Sequence, residues 1–390
     1  MKEEKQCPLK SAMNRRKFLK DMGKGAVAAV AVPTLAPLAG CDNENSDRWW
    51  NTGGRTRGCG SRLEKVKISK PNAPPSGTAV VGMAKMATIR GTVEKAIQLA
   101  GGLSDIKQGD KVIIKPNIVA MGWDVRPYTH PEVLRAVIKA IKARTAARNI
   151  TVGEASYAGP GSNGTTANAE DSGILKVIDS EGVNFIAWDE DPATEYVEIE
   201  CADMEYVGYN IEVPKALVDG TYEHFINVPV LKNHTWQNAA FTCCIKSFVG
   251  TMNPENRRPD WAAGTHEWLD LSKAVAELNL TTPKITMNIV DALSPVLVNG
   301  PLYPTGMITH DAGLVIASSD RVAADSLALA VLRYCASLNS SVNEPYQDIS
   351  VWQQPQITRA IELNLGRSSE NIELAHEGVD DIDGIIAQWS

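Results

Sequence analysis

The chain reads as an α/β protein: a mostly parallel sheet flanked by helices, Rossmann-like in its layering, built as one large domain or as two fused α/β lobes. Three observations predict this. From residue 78 strand-like and helix-like segments alternate, the pattern of right-handed crossovers between parallel strands. The run 222–230 alternates and then turns apolar, and 111–119 is apolar almost throughout, as strands covered on both faces are. Finally, Asn117, Glu154, Asp189, Lys232 with His234, Asp291 and Asp320 each stand at or just after the carboxyl end of a predicted strand. In a parallel sheet those ends share one edge, where open α/β sheets place their ligands.

In chain order, residues 1–41 read as an address. Asn14-Arg15-Arg16-Lys17-Phe18-Leu19-Lys20 is a twin-arginine pattern, followed by a modest apolar run over 25–38. That pairing marks export through the Tat translocase. The run is too short to span a bilayer and holds two prolines. Leu38-Ala39-Gly40-Cys41 is lipobox-like, which predicts a lipid on Cys41 and attachment to the outer side of the membrane. Removing residues 1–40 takes away eight Lys/Arg and three Asp/Glu, so the formal charge falls from −7 to −12. An acidic passenger argues against nucleic acid as a partner. Residues 42–77 are polar, rich in Gly and Pro and without periodicity, and read as a flexible linker; 78–390 is the α/β domain.

Within that domain, 92–100 predicts a helix, 111–119 a strand, and 131–143 a strong helix with Thr129 as its N-cap and Pro131 in its first turn. Strand 149–153, helix 169–180 and strand 183–188 follow. The central stretch is a strand over 222–230, a polar turn carrying Lys232, Asn233 and His234, and a helix over 239–249 carrying Lys246 and stopped by Gly250. A helix at 267–279, a strand at 285–290 ending before Asp291, a strand at 314–318, and helices at 321–336 and 355–364 complete the order. Asp320 stands where a helix cap would. Cysteines at 59, 201, 243, 244 and 335 show no framework spacing. The adjacent Cys243 and Cys244, placed in a helix, would point about 100° apart and fill core.

The chemistry predicted for the shared edge is anion binding. A lysine inside an apolar strand, as Lys115 is, stays charged only against an anion, a carboxylate or an open cleft. Lys115, Asn117, His130 and Asn227 are read as substrate-binding, and Lys232, His234, Lys246 and Asp291 as catalytic. The ligand is then a small carboxylate or phosphate; a Lys–Asp pair with Asp291 is the structural alternative. Four of six histidines, at 130, 234, 266 and 310, fall in turn-like segments, and His130 can also cap its helix. A divalent metal on His234, His266 and Asp291 is the other reading, although no compact His-x-x-x-His spacing supports it. Gly159 to Gly164 satisfies Gly-x-Gly-x-x-Gly, but Pro160 sits inside the turn and the next helix starts late, so a lid suits it better than a dinucleotide site. Nucleophile-elbow and Walker patterns are absent from the sequence.

The central stretch also resembles the DUF362 family, whose pattern here is Asn227, Pro229, Lys232, His234, Lys246, Phe248 and Gly250. Lys115-Pro116-Asn117, Thr129-His130-Pro131, His266, Asp291, Gly300-Pro301, Gly306, Ser319-Asp320 and Asp325 extend the resemblance over roughly residues 78–385. The family carries no established chemistry. Some relatives resemble iron–sulfur proteins through an added ferredoxin-like Cys cluster; this chain has no Cys-x-x-Cys, so no such cluster is implied. Two functions remain: an enzyme acting on a small anion, or a non-catalytic exported factor that grips a cofactor or peptide for a redox partner.

Overall fold

A computed structural model of the chain describes residues 63–119, 126–156, 164–207, 210–234, 241–254, 270–282, 284–300 and 306–390. The leader, Cys41, Cys59, His266 and most of the Gly159 to Gly164 turn lie outside them. The described residues belong to one compact unit.

The first described strand is β1 (Lys65–Lys67), which pairs in parallel with β6 (Tyr196–Glu200). Packed structure therefore reaches back to residue 65, inside the segment expected to be linker. Next come β2 (Ala79–Ala84), α1 (Ile89–Leu99), β3 (Val112–Pro116) and α2 (Pro131–Lys142). After them stand β4 (Ile150–Glu154), α3 (Thr165–Asp171), α4 (Ile174–Glu181) and β5 (Asn184–Ala187). The helix expected at 169–180 is thus two, joined at Gly173, whose φ of +75° few other residues adopt. β7 (Ile211–Pro214) completes a small sheet in the order β1-β6-β7.

The large sheet runs β14-β2-β13-β11-β8-β3-β4-β5, with β8 (His224–Val228), β11 (Met287–Val298), β13 (Leu314–Ser318) and β14 (Ile372–Glu377). Alongside β11 lie β9 (Val230–Asn233) and β12 (Ile308–Thr309), and β10 (Phe241–Thr242) pairs β9. Most pairings are parallel, as expected. β13 is the exception in the main run: it is antiparallel to both β11 and β2. Among the described residues of the 299–313 link there is no helix; it carries β12, which is itself antiparallel to β11.

Strand alternation builds two cores. Val112 and Ile114 of β3 face one side, with α1, α2 and α4; Ile113 faces the other. That other side holds α5 (Leu271–Leu278), α6 (Arg321–Ser337), α7 (Pro355–Glu362), α8 (Ile382–Trp389) and the small sheet. α6 is buried along nearly its whole length, which fits its apolar, Ala-rich sequence. Among the described residues no helix is long and apolar enough to cross a membrane.

The reversal of β13 corrects one expectation. Asp320 follows β13, so it lies at the opposite edge of the sheet from Asn117 and Glu154 and takes no part in a shared cleft. It caps α6: Oδ1 accepts from Val322 N at 2.9 Å and Ala323 N at 3.0 Å, while Oδ2 accepts from Arg367 N and Nη1, both at 3.0 Å. Asp320→Ala should lower the stability of the fold by about 2 kcal/mol, read from the urea midpoint, with Asp320→Asn losing less because Asn still caps. Equal losses would mean that the Arg367 pairing, not the cap, carries the effect.

Candidate functional site

The site is built where β3, β4 and β8 end. Lys115 is fully buried, yet it carries an ammonium group. Its Nζ donates to Glu154 Oε2 at 2.8 Å, to Pro116 O at 3.2 Å and to Ser247 Oγ at 3.3 Å. Glu154 also accepts from Ala155 N at 3.1 Å and Ile118 N at 3.4 Å. A buried charge pair persists only when its spare lone pairs and protons are satisfied in this way. The predicted need for a partner was right, but the partner is Glu154 rather than Asp291.

A polar rank extends from this pair across the sheet. Lys115 pairs in register with Asn227, Asn227 with Asn288, and Asn288 with Ser318, so four neighbouring strands present polar side chains on one face. Ser247 Oγ donates to Asn227 Oδ1 at 2.9 Å, Asn227 Nδ2 to Asn288 Oδ1 at 3.1 Å, and Asn288 Nδ2 to Ser318 O at 3.2 Å. Asn227 Nδ2 also donates to Cys244 O at 3.1 Å. With both ends of its amide engaged inside the protein, Asn227 is a strut of this network and not the substrate donor expected.

Gly250 closes over the charge pair. Its carbonyl accepts from Ala155 N at 3.0 Å, and a Cβ there would sit 1.9 Å from Glu154 Oε1 and 2.8 Å from Lys115 Nζ. Only glycine lets the backbone come so close.

Lys232 is the second buried ammonium, 1% exposed. It lies within β9, not in a turn beyond the strand as expected, because Val230 to Asn233 pair with β10 and β11. Pro229 separates β8 from β9, and its carbonyl accepts from Asp291 N at 2.8 Å. Lys232 Nζ donates to Asn117 Oδ1 at 2.6 Å and to Pro127 O at 2.5 Å. Among the described residues these two neutral oxygens are its hydrogen-bond partners, so one of its three N–H donors is not engaged. Burial holds its pKa well below the ordinary lysine value. Lys246 pushes it down further, Glu154 opposes, and Lys115 again lowers it. Solvent reaches this cluster at Asn117 and Lys246, which are half-buried.

Asp291 belongs to the other face. Register pairs it with Val230 and Val315. Oδ2 accepts from His130 N at 2.7 Å and Oδ1 from Leu293 N at 3.1 Å, so it ties the start of α2 to β11. His130, not Thr129, is the N-cap of α2, and its Nδ1 accepts from Glu132 N at 3.0 Å. Burial lowers the His130 pKa and nearby Arg126 adds to this, while Asp291 and Glu132 oppose. Thr129 Oγ1 instead accepts from Asn117 N at 2.8 Å and donates to Val228 O at 2.6 Å, which fixes Asn117 beside Lys232. β11 runs on past Asp291 to Val298, tolerating Pro295 at a register shift.

His234 directly follows β9 and is buried. The expected helix over 239–249 does not form in its described part. Phe241 and Thr242 are strand, and residues 246–251 form a 3₁₀ segment that places Lys246 and Ser247. Thus Lys115, Asn117, Lys232 and Lys246 come together, Asn227 braces Lys115 through Ser247, and Asp291 ties His130 to β11 next to Thr129 and Asn117. Glu154 stands at the shared edge as expected, whereas Ser247 and Asn288 were not among the predicted site residues. The signal for Asn288 existed: it is a polar residue inside an apolar strand, as Lys115 is.

A family model described as a domain of unknown function, DUF362, matches residues 112–330. Comparisons with curated proteins and with solved structures return no match.

Lys115→Met or Glu154→Leu alone should each destabilise the protein by about 3–5 kcal/mol, whereas the double replacement should recover most of that loss. Denaturant midpoints of the four proteins form the cycle, and additive losses would show that the pair is not coupled. Gly250→Ala should cost about 3 kcal/mol or more by displacing Glu154.

Proposed function

As the chain belongs to the DUF362 family, whose domain has no assigned function, its chemistry must come from its own residues, and we propose that it is an enzyme acting on a small anionic substrate, a carboxylate or phosphate. One observation carries the reading. Lys232 is a buried amine with a lowered pKa, held by neutral oxygens, beside Lys246 and Lys115, with Glu154 the carboxylate that opposes the shift. A pocket with an excess of positive charge in a low-dielectric wall is stabilised by an anion and can hold charge that develops on a reacting oxygen. Lys232 and Lys246 are the clamps in this proposal, and Asn117 positions Lys232. His234, two residues from Lys232, is the acid or base. Lys115 and Glu154 form the rigid floor. We read the parallel part of the sheet as Rossmann-like in the limited sense that the ligand edge is its carboxyl edge.

We also place the protein outside the cytoplasm, by Tat export and with a lipid on Cys41, from the Arg15-Arg16 pattern and the lipobox-like stretch. Replacing Arg15 and Arg16 by Lys should leave the protein unexported, and Cys41→Ser should remove a lipid-sized mass from the mature chain. Export that survives replacement of Arg15 and Arg16 would overturn the Tat assignment, and a mature mass unchanged by Cys41→Ser beyond the side-chain difference would overturn the lipid.

The lowered pKa of Lys232 sets the pH behaviour. The unfolded chain keeps this amine protonated up to about pH 10.4, and the folded chain releases the proton earlier. Between those values the unfolded state binds more protons, so ligand-free stability rises with pH across that window. Anion binding favours the charged amine, so affinity falls as pH rises through the folded pKa and binding above it takes up a proton. Calorimetry with phosphate or a small carboxylate, in buffers of different ionisation enthalpy, measures that uptake. Lys232→Ala should weaken the anion by about tenfold or more, about 1.4 kcal/mol. His234→Ala should leave anion binding in place and abolish turnover. Anion affinity that is unchanged in Lys232→Ala would overturn the proposal, and binding without any turnover would favour the non-catalytic reading.

A further inference from the structure

Against the polar rank, where Asn227 Nδ2 donates to Cys244 O, three fully buried groups converge. Cys243 and Cys244 leave β10 as a turn, not as helix, and their Sγ atoms lie 3.7 Å apart. The Asp325 carboxylate of α6 joins them, and one ligand atom from each of the three residues lies within 4.8 Å of the others. We infer that Cys243, Cys244 and Asp325 form a closed, structural binding site for a thiophilic divalent cation of the zinc class.

The spacing carries the inference. With metal–sulfur bonds of about 2.3 Å and tetrahedral angles, the two sulfurs of one site stand about 3.8 Å apart. The observed 3.7 Å is that edge, far longer than the roughly 2.05 Å of a disulfide. The carboxylate is already oriented. Oδ1 accepts from Cys244 N at 2.6 Å, and Oδ2 accepts from Ile245 N at 3.3 Å and from Gln356 Nε2 at 3.0 Å. These are the outer hydrogen bonds that fix a ligand's direction. Gln356 adds an independent observation: it is 1% exposed, and its Oε1 has no hydrogen-bond partner among the described residues. We take this oxygen, on the same amide whose Nε2 touches Asp325, as the candidate fourth ligand.

Charge closes as well. Binding releases the two thiol protons to solvent, so two thiolates, one carboxylate and one divalent cation leave a net charge of minus one. Arg321, fully buried on the first turn of α6, is coupled first to Asp320, whose charge Arg367 also meets, and then to Cys244 and Asp325, so counting both arginines balances it. The site is therefore neutral both with and without metal, which a dry interior requires.

The test is elemental analysis of the full chain, expressed with zinc present and purified without chelator, together with the absorption spectrum after exchange with cobalt(II). About one zinc per chain is expected, and the cobalt form should show thiolate charge-transfer bands with tetrahedral d–d bands. Cys243→Ser and Cys244→Ser should each bind metal at least about tenfold more weakly, whereas Cys335→Ser and His234→Ala should keep it. Should the cysteine variants fail to fold, the wild-type cobalt spectrum still decides. Metal retained in both cysteine variants, a metal-free protein with two alkylatable thiols, or a two-hydrogen mass deficit from a Cys243–Cys244 disulfide would each overturn the inference.

Discussion

The structure depends on keeping one ammonium group charged where no water reaches it. Lys115 stands one residue before the end of β3, flanked by strands on both sides and covered by Gly250. Everything nearby is arranged around that charge. Glu154 supplies the carboxylate from the next strand, Ser247 relays the contact to Asn227, and Asn227 hands it to Asn288. An apolar residue at any of these rank positions would leave a neighbour unpaired in the interior, at about 1–3 kcal/mol for a neutral group and more for a charged one. The rank therefore fixes the register of β3, β8, β11 and β13 more tightly than apolar packing alone, which tolerates slippage between similar side chains.

The same arrangement separates two roles that lysines in one cluster could share. Lys115 has a carboxylate and is neutralised; Lys232 has neutral oxygens and is not. Their different partners come from different elements: β4 brings Glu154 to one, and the Thr129 bridge brings Asn117 to the other. On the face opposite the polar rank, Asp291 uses its two oxygens to join α2 to β11.

Much of this was legible in the sequence, and the misses share a cause. β3, β13, α2, α6 and α7 fall within a few residues of their predicted bounds because their signals are local: apolar runs, Pro at the first helical turn, Asp before a helix. The strand signal in Tyr196–Glu200 was also present as strict alternation, yet it passed unread. The segment 239–249 failed for a physical reason. The N–H groups of Cys244 and Ile245, which a helix would direct to its own carbonyls, are taken by the Asp325 carboxylate some eighty residues later. No local pattern reports such a distant acceptor. The partner of Lys115 was hidden likewise: that a charge was needed could be read from one strand, but which carboxylate would supply it depended on sheet order. The direction of β13 was readable in principle, since residues 291–313 hold no helix-like pattern in the sequence.

The edge strand pairing carries a consequence for how the molecule comes to exist. β14 runs parallel to β2 over six residues, joining Ala79 to Ile372 and Ala84 to Glu377. Nearly the whole domain must be synthesised before that seam can form. Until then β2 presents an unpaired row of backbone donors and acceptors, the feature that invites strands to associate with the wrong chain. Long-range parallel pairing is also slow to form, because the loop it closes is long. The nascent protein thus passes through a stage with a complete middle and β2 as its open flank, until β14, which carries Glu373 and Glu377, takes over as the edge strand.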